Sequence, residues 1–176
     1  VRTSPGGKGS NQMIAAHRAG SEVFLIACVG DDSAASVLNE LYRENKMSTK
    51  YIRVCQGENT GTALIQINKT DAQNRILIIR GANLSLSDED VKKAECDFRD
   101  CDIVLTQLET DDAPICEAAR LAKKYGKPFC LNPAPYRPLS DELLSMTDYI
   151  TPNETEAECL TGIHICLLYT SPSPRD

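Results

Sequence analysis

The sequence predicts an α/β fold: a mostly parallel sheet with helices on both faces. Three observations predict it. Short apolar runs alternate with longer segments of helical spacing along most of the chain. Glycine, proline and capping residues punctuate the changeovers. One pair of apolar arms around a polar turn breaks the rhythm and reads as an inserted hairpin.

Taken in order, Ser10 to Ala19 has helical spacing and is closed by Gly20 as a C-terminal cap. Val23 to Val29 is a continuous apolar run that ends at Gly30-Asp31-Asp32, a buried strand handing over at a turn. Ser33 to Tyr42 reads as a helix with Val37, Leu38 and Leu41 on one face, and Tyr51 to Cys55 as a short strand. Thr62 to Ile67 and Arg75 to Ile79 are the hairpin arms around KTDAQN. The first arm alternates imperfectly, so one of its faces is expected to cover something rather than to enter the core. Ser87 caps the helix DEDVKKAE. Asp102 to Gln107 is a strand, Pro114 to Tyr125 a helix with proline in its first turn, and Pro128 to Leu131 a strand. Leu139 to Met146 is a helix, Tyr149 to Thr151 a strand, and Asn153 to Leu160 a last helix. Repeated strand–helix units predict a parallel sheet with helices on both faces.

The 176 residues are 41% hydrophobic, enough for a packed core, with a formal net charge of -6 and no basic stripe for a nucleic acid. No apolar run approaches the about 20 residues of a membrane helix. The 8 cysteines form no C-x-x-C pair, and several lie in apolar runs such as FLIACVG and KPFCLNP. They read as buried free thiols of a reducing, cytoplasmic compartment rather than zinc ligands. His17 and His164 are far apart and make no ligand motif. Asp111-Asp112 reads as helix N-terminal acids ahead of Pro114, not as a catalytic pair.

The tail Cys166 to Asp176, CLLYTSPSPRD, is of another kind. It matches, in one frame, the translation of a transposase adapter used for sequencing libraries, so it is expected to lie outside the fold. With Val1 in place of an initiator methionine, the chain is expected to be a gene fragment open at both ends, with residues 1–165 as one partial domain.

SPGGKGSNQ, Ser4 to Gln12, raises the question of ligand. It is not a Walker loop, since Lys8 is followed by Gly9 and no strand precedes it, and Gln12 stands where a dinucleotide fingerprint needs glycine. Gly6 and Gly7 allow close backbone approach or a hinge, while Lys8 and Asn11 supply donors and an acceptor. That set suits a polyhydroxylated molecule; a plain glycine turn before a helix remains the other reading of the loop alone.

GGKGSNQ with Gly20 and Gly30 resembles the first signature of the PfkB carbohydrate kinases, in its ribokinase form. GENTGTALIQIN, GAN, TQLE (Thr106 to Glu109), LNPAP (Leu131 to Pro135) and ITPNETEAECLTGI (Ile150 to Ile163) resemble that family in the same order. The resemblance implies a ribokinase-like three-layer α/β/α sandwich with a small β lid at about residues 60–80. It implies that Gly7, Lys8, Gly9, Ser10 and Asn11 line the sugar site, with Glu109 binding sugar hydroxyls. It puts Asn153 near the ATP phosphates and Glu156 at the organisation of magnesium. Phosphorylation of ribose by ATP with Mg2+ is the implied reaction, deoxyribose or fructose being alternative sugars, and a homodimer through the lid is the implied assembly. A non-catalytic sugar-binding module is the reading from another class. The family's N-terminal sugar-binding aspartate, its G-A-G-D segment with the general base, its adenine pocket and its monovalent-cation site all fall outside these residues. Met13 stands where the signature has a small residue.

Overall fold

The computed structural model describes residues 4–67 and 74–165. In chain order its elements are α1 (Lys8–Arg18), β1 (Ala27–Gly30), α2 (Ser33–Glu44), β2 (Ile52–Cys55), β3 (Thr62–Ile67) and β4 (Asn74–Ile79). A short 3-10 helix, Gly81–Ser85, leads to α3 (Asp88–Lys92) and α4 (Glu95–Asp100). Then come β5 (Val104–Gln107), α5 (Asp112–Lys124), β6 (Phe129–Asn132), α6 (Asp141–Ser145), β7 (Tyr149–Ile150) and α7 (Glu154–Thr161).

The expected parallel pairing is present: β1 pairs with β2, β5 with β6, and β6 with β7, all parallel. These strands form two ladders rather than one continuous sheet among the described residues. Ile26 packs against the apolar clusters of both, joining the ladders by side-chain contact. Strand β3 pairs with β4 in antiparallel fashion, which is the hairpin. Its turn, residues 69–74 of the sequence reading, and the tail at 166–176 lie almost wholly outside the described residues.

Helices lie on both faces because successive strand residues point to opposite sides. Phe129 and Leu131 of β6 are fully buried against Val91, Phe98, Ile115, Ala119 and Leu143 of α3 to α6. On β1–β2, Cys28 and Cys55 face Ala82 and Leu86. Ile52 turns the other way and joins Met13, Tyr42 and Met47 of the α1–α2 layer. Met13 thus has a place in the core, 4% exposed, and the helix makes room for it.

Several sequence expectations need correction. The first strand begins at Ala27, not Val23; Val23 and Leu25 supply side chains to the α1–α2 core without pairing their backbone. Val37 is 44% exposed, and α2 buries Ala35 and Tyr42 with Leu38 instead. The sixth helix starts two residues late, where Ser140 accepts from the Leu143 N–H. The helix after Ser87 stops at Lys92, and a separate turn, α4, follows it. Cys96 and Cys159 are exposed, unlike the buried Cys28, Cys55 and Cys130; Cys28, Cys55, Cys96, Cys101, Cys116, Cys130 and Cys159 are all free thiols. Among the described residues no helix is long and apolar enough to cross a membrane.

Candidate functional site

The glycine-rich loop begins a helix earlier than its sequence predicts. Gly7 turns the chain at φ 92, a conformation that favours glycine, and α1 starts at Lys8 instead of Ser10. Gly7 offers no side-chain cap. The cap comes from elsewhere: Lys8 N–H donates to Oε2 of Glu109 at 2.9 Å. A carboxylate at the positive end of a helix is favourable. Glu109 stands just beyond the carboxyl end of β5, where ligands gather in parallel α/β sheets.

Neighbouring contacts set the loop's height above the strand. The Gln107 amide donates to the Gln12 side chain. A Cβ on Gly9 would lie 3.2 Å from Gln107 Oε1 and 3.4 Å from Leu25, so glycine allows the helix to sit this low. Ser10 is buried, and its hydroxyl accepts from Tyr42 OH at 2.8 Å. Asn11 and Gly7 are exposed, and Lys8 is partly buried. The far end of α1 closes as expected: Gly20 N–H donates to His17 O at 2.9 Å and Ser21 N–H to Ala16 O at 3.1 Å.

The other two candidates cap α7. Asn153 Oδ1 accepts from Glu156 N–H at 2.8 Å, and Glu156 Oε2 accepts from Asn153 N–H at 2.9 Å. Asn153 Nδ2 also donates to Glu156 Oε1 at 3.1 Å. Glu156 is 8% exposed and Asn153 is exposed, so the carboxylate holds the amide toward solvent. One amide hydrogen of Asn153 and lone pairs on both Glu156 oxygens stay free for further partners.

Both groups belong to one edge of the three-stranded ladder. Asn132 at the end of β6 donates to Thr151 O at 2.7 Å, just past β7. Leu108 N–H donates to Ala134 O at 3.0 Å, so the segments leaving β5 and β6 run side by side. Glu109, Asn132 and Asn153 therefore lie at or just beyond the carboxyl ends of three neighbouring strands. An open cavity of about 260 Å³ lies against α1 and this ladder, lined by Gln12, Ala15, Leu105, Thr106, Cys130, Asn132 and Thr151.

Asp111 and Asp112 sit at the start of α5; Asp112 accepts from Arg137 at 2.6 Å. Among the described residues no group of histidine, cysteine and carboxylate side chains could hold a metal ion by itself. The hairpin leaves Leu64, Ile65, Leu77, Ile78 and Ile79 exposed, on both of its faces. Asp32 and Thr60, which tie the hairpin's root to the β1–α2 turn, carry no sequence signal beyond a pair of acids before a helix.

The pfkB family carbohydrate kinase profile matches residues 1–172. The chain is 44% identical over 160 residues to a ribokinase of Haemophilus influenzae, covering 91% of this chain and 52% of that protein. It is 37% identical over 161 residues to a deoxyribokinase of Salmonella typhi, with 91% and 52% covered. A solved ribokinase of Arabidopsis thaliana, complexed with ribose and ATP, superposes with TM-score 0.80 at 31% identity, over 90% of this chain and 52% of that one. The chain spans about half the length of the curated relatives it matches.

Proposed function

The chain belongs to the pfkB family of carbohydrate kinases, and we propose that it contributes the sugar-binding floor of a kinase that phosphorylates ribose with ATP. One observation carries this: the Glu109 carboxylate and the Gly7–Asn11 loop, far apart in sequence, meet at the carboxyl end of β5. Fixed donors and a carboxylate acceptor at one place suit adjacent sugar hydroxyls. Lys8, Asn11, Gly7 and Gly9 face the sugar in this reading, with Glu109 accepting from its hydroxyls. Ser10 positions the loop through Tyr42.

In the proposed reaction the sugar 5-hydroxyl attacks the γ-phosphoryl of ATP, the bond to the ADP oxygen breaks, and the hydroxyl proton passes to a base. No G-A-G-D segment occurs in the 176 residues, so that base is assigned to residues beyond them. Asn153, at the N-terminus of α7, points a free amide hydrogen outward for a phosphate oxygen. Magnesium, when bound, would neutralise phosphate charge. Both Glu156 oxygens are already engaged by Asn153, which fits contact through the water shell that this hard cation keeps. The hairpin is the proposed lid, excluding water, and its exposed apolar faces support a homodimer formed through it. The cytoplasm is the proposed location, and the tail at 166–176 is proposed to take no part in the fold.

The deoxyribokinase similarity keeps a second sugar open. Sugar-dependent ADP release by the protein from the complete gene, with ribose, deoxyribose and fructose in parallel, separates the readings. A preference for ribose supports this one; a preference for deoxyribose supports the second. The 176 residues alone are expected to release no ADP with any sugar.

A further inference from the structure

Among the described residues the two legs of the hairpin meet the rest of the molecule at a crossing beside the β1–α2 turn. Its first leg enters through Asn59–Gly61 and its second leaves through Arg80–Asn83. The Ala82 N–H donates to Asn59 O at 2.9 Å, and a Cβ on Gly81, at φ +49, would lie 2.3 Å from that same oxygen. The crossing rests on Gly30, where a Cβ would lie 2.2 Å from Glu58 O and 2.7 Å from Thr60 N. The Ala82–Asn59 backbone bond joins the two legs to each other, while the hold on the β1–α2 turn runs through side-chain hydrogen bonds.

Asp32 supplies it. Its Oδ2 accepts from Thr60 N–H at 2.9 Å, and its Oδ1 accepts from the Thr60 hydroxyl at 2.6 Å. The same hydroxyl oxygen accepts from Gly30 N–H at 3.0 Å. Thr60 is 5% exposed and Asp32 is half-buried, so these bonds are partly shielded from water. Asp32 Oδ1 also takes the Ala35 N–H at 3.0 Å, which caps α2. The carboxyl is held below its usual range, first by the Thr60 hydroxyl and then by the Ala35 and Thr60 N–H groups. Among the described residues, neighbouring Asp31 accepts from Gly57 N–H, at 3.1 Å on an exposed stretch, rather than from Thr60.

We propose that Asp32 is a positioning residue for the hairpin: its carboxylate clamps Thr60 at the hairpin's foot and sets the pose from which the hairpin covers the sugar. The clamp stands on geometry alone; only its effect on sugar binding rests on the kinase reading above.

The test uses the protein from the complete gene with Asp32→Asn, Thr60→Val and Thr60→Ser. Asparagine is as good an N-cap as aspartate, so Asp32→Asn spares α2 while removing one acceptor from Thr60. Hydrogen exchange is read at the amides of residues 62–67 and 77–79 against those of β6. The expected result is exchange about tenfold faster in the hairpin for Asp32→Asn and Thr60→Val, from the loss of a charge-assisted hydrogen bond, with β6 unchanged. Thr60→Ser, which keeps the hydroxyl, is expected to behave as wild type. Sugar KM is expected to rise with kcat little changed. Unchanged hairpin exchange in both variants, or acceleration spread equally into β6, overturns the clamp. A wild-type protein that phosphorylates no sugar would refute the function, while hairpin exchange would still decide the clamp.

Discussion

The backbone N–H of Lys8 meets the Glu109 carboxylate at 2.9 Å across a sequence separation of 101 residues. A helix that starts on glycine lacks a local cap, and a carboxylate from the end of a strand in another part of the fold replaces it. Only Oε2 is used in this bond. The same group thereby fixes the loop and, in the proposed function, faces the sugar.

Glu109→Ala is expected to lower kcat/KM for the sugar by about 10- to 100-fold, the scale of one lost hydrogen bond to a charged group. Glu109→Gln, which can still accept from Lys8 N–H, is expected to fall between the two. Steady-state kinetics with varied sugar on the protein from the complete gene check the order; equal losses in both variants would mean that charge, not loop geometry, dominates.

Asn153→Ala removes the cap of α7 and the outward amide together. It is expected to cost about 1 kcal/mol of stability, the usual worth of an N-cap, and to raise the KM for ATP more than that for sugar. Thermal melts and two-substrate kinetics read the two effects separately.

Acid is expected to weaken the junction between β2 and α3. Burial acts to raise the Asp90 pKa, but bonds from Arg53, Lys93 and Ser87 outweigh it and hold the carboxyl far below the usual range. Arg53 Nε lies 3.1 Å from both carboxylate oxygens. A depressed folded pKa gives stability that is present above the unfolded pKa of about 3.9 and lost as pH falls below it. The melting temperature is therefore expected to hold from neutral pH down to about 5 and to drop below about 4. Asp90→Asn is expected to lower stability at neutral pH and to shrink that drop, in melts taken across the pH range.

The cysteines are expected to divide by reactivity. Burial, and then the neighbouring Cys55, push the Cys28 thiol up to about 12, so it stays protonated at pH 8. Cys96 and Cys159 are exposed. An alkylating reagent followed by peptide mapping is expected to mark Cys96 and Cys159 in the native protein, and Cys28 and Cys55 only after unfolding.

The alternation of strands and helices was legible because each buried strand and each amphipathic helix carries its own period. Caps with local partners were legible too: Ser87 and Gly20 bond within a few residues, while the Asn153–Glu156 pair, expected as ligand residues, also forms a capping box. What the sequence concealed was nonlocal. The start of α1 depends on Glu109, and the true start of β1 depends on where β2 offers a partner, at Ala27 opposite Ile52. Apolar content alone could not separate Val23 and Leu25, which pack without pairing, from Cys28 and Val29, which do both. The clamp of Asp32 on Thr60 spans 28 residues and leaves no periodic trace.

The central claim is that the loop and Glu109 serve a sugar whose hydroxyl receives phosphate from ATP. The most direct measurement is phosphorus NMR of ribose and ATP incubated with the protein from the complete gene. The account predicts a new phosphomonoester resonance, coupled to the sugar's C5 protons, that requires both substrates and falls with Glu109→Ala. ATP hydrolysed to free phosphate with no sugar phosphate formed, or no turnover of ATP in the presence of ribose, deoxyribose or fructose, would contradict it.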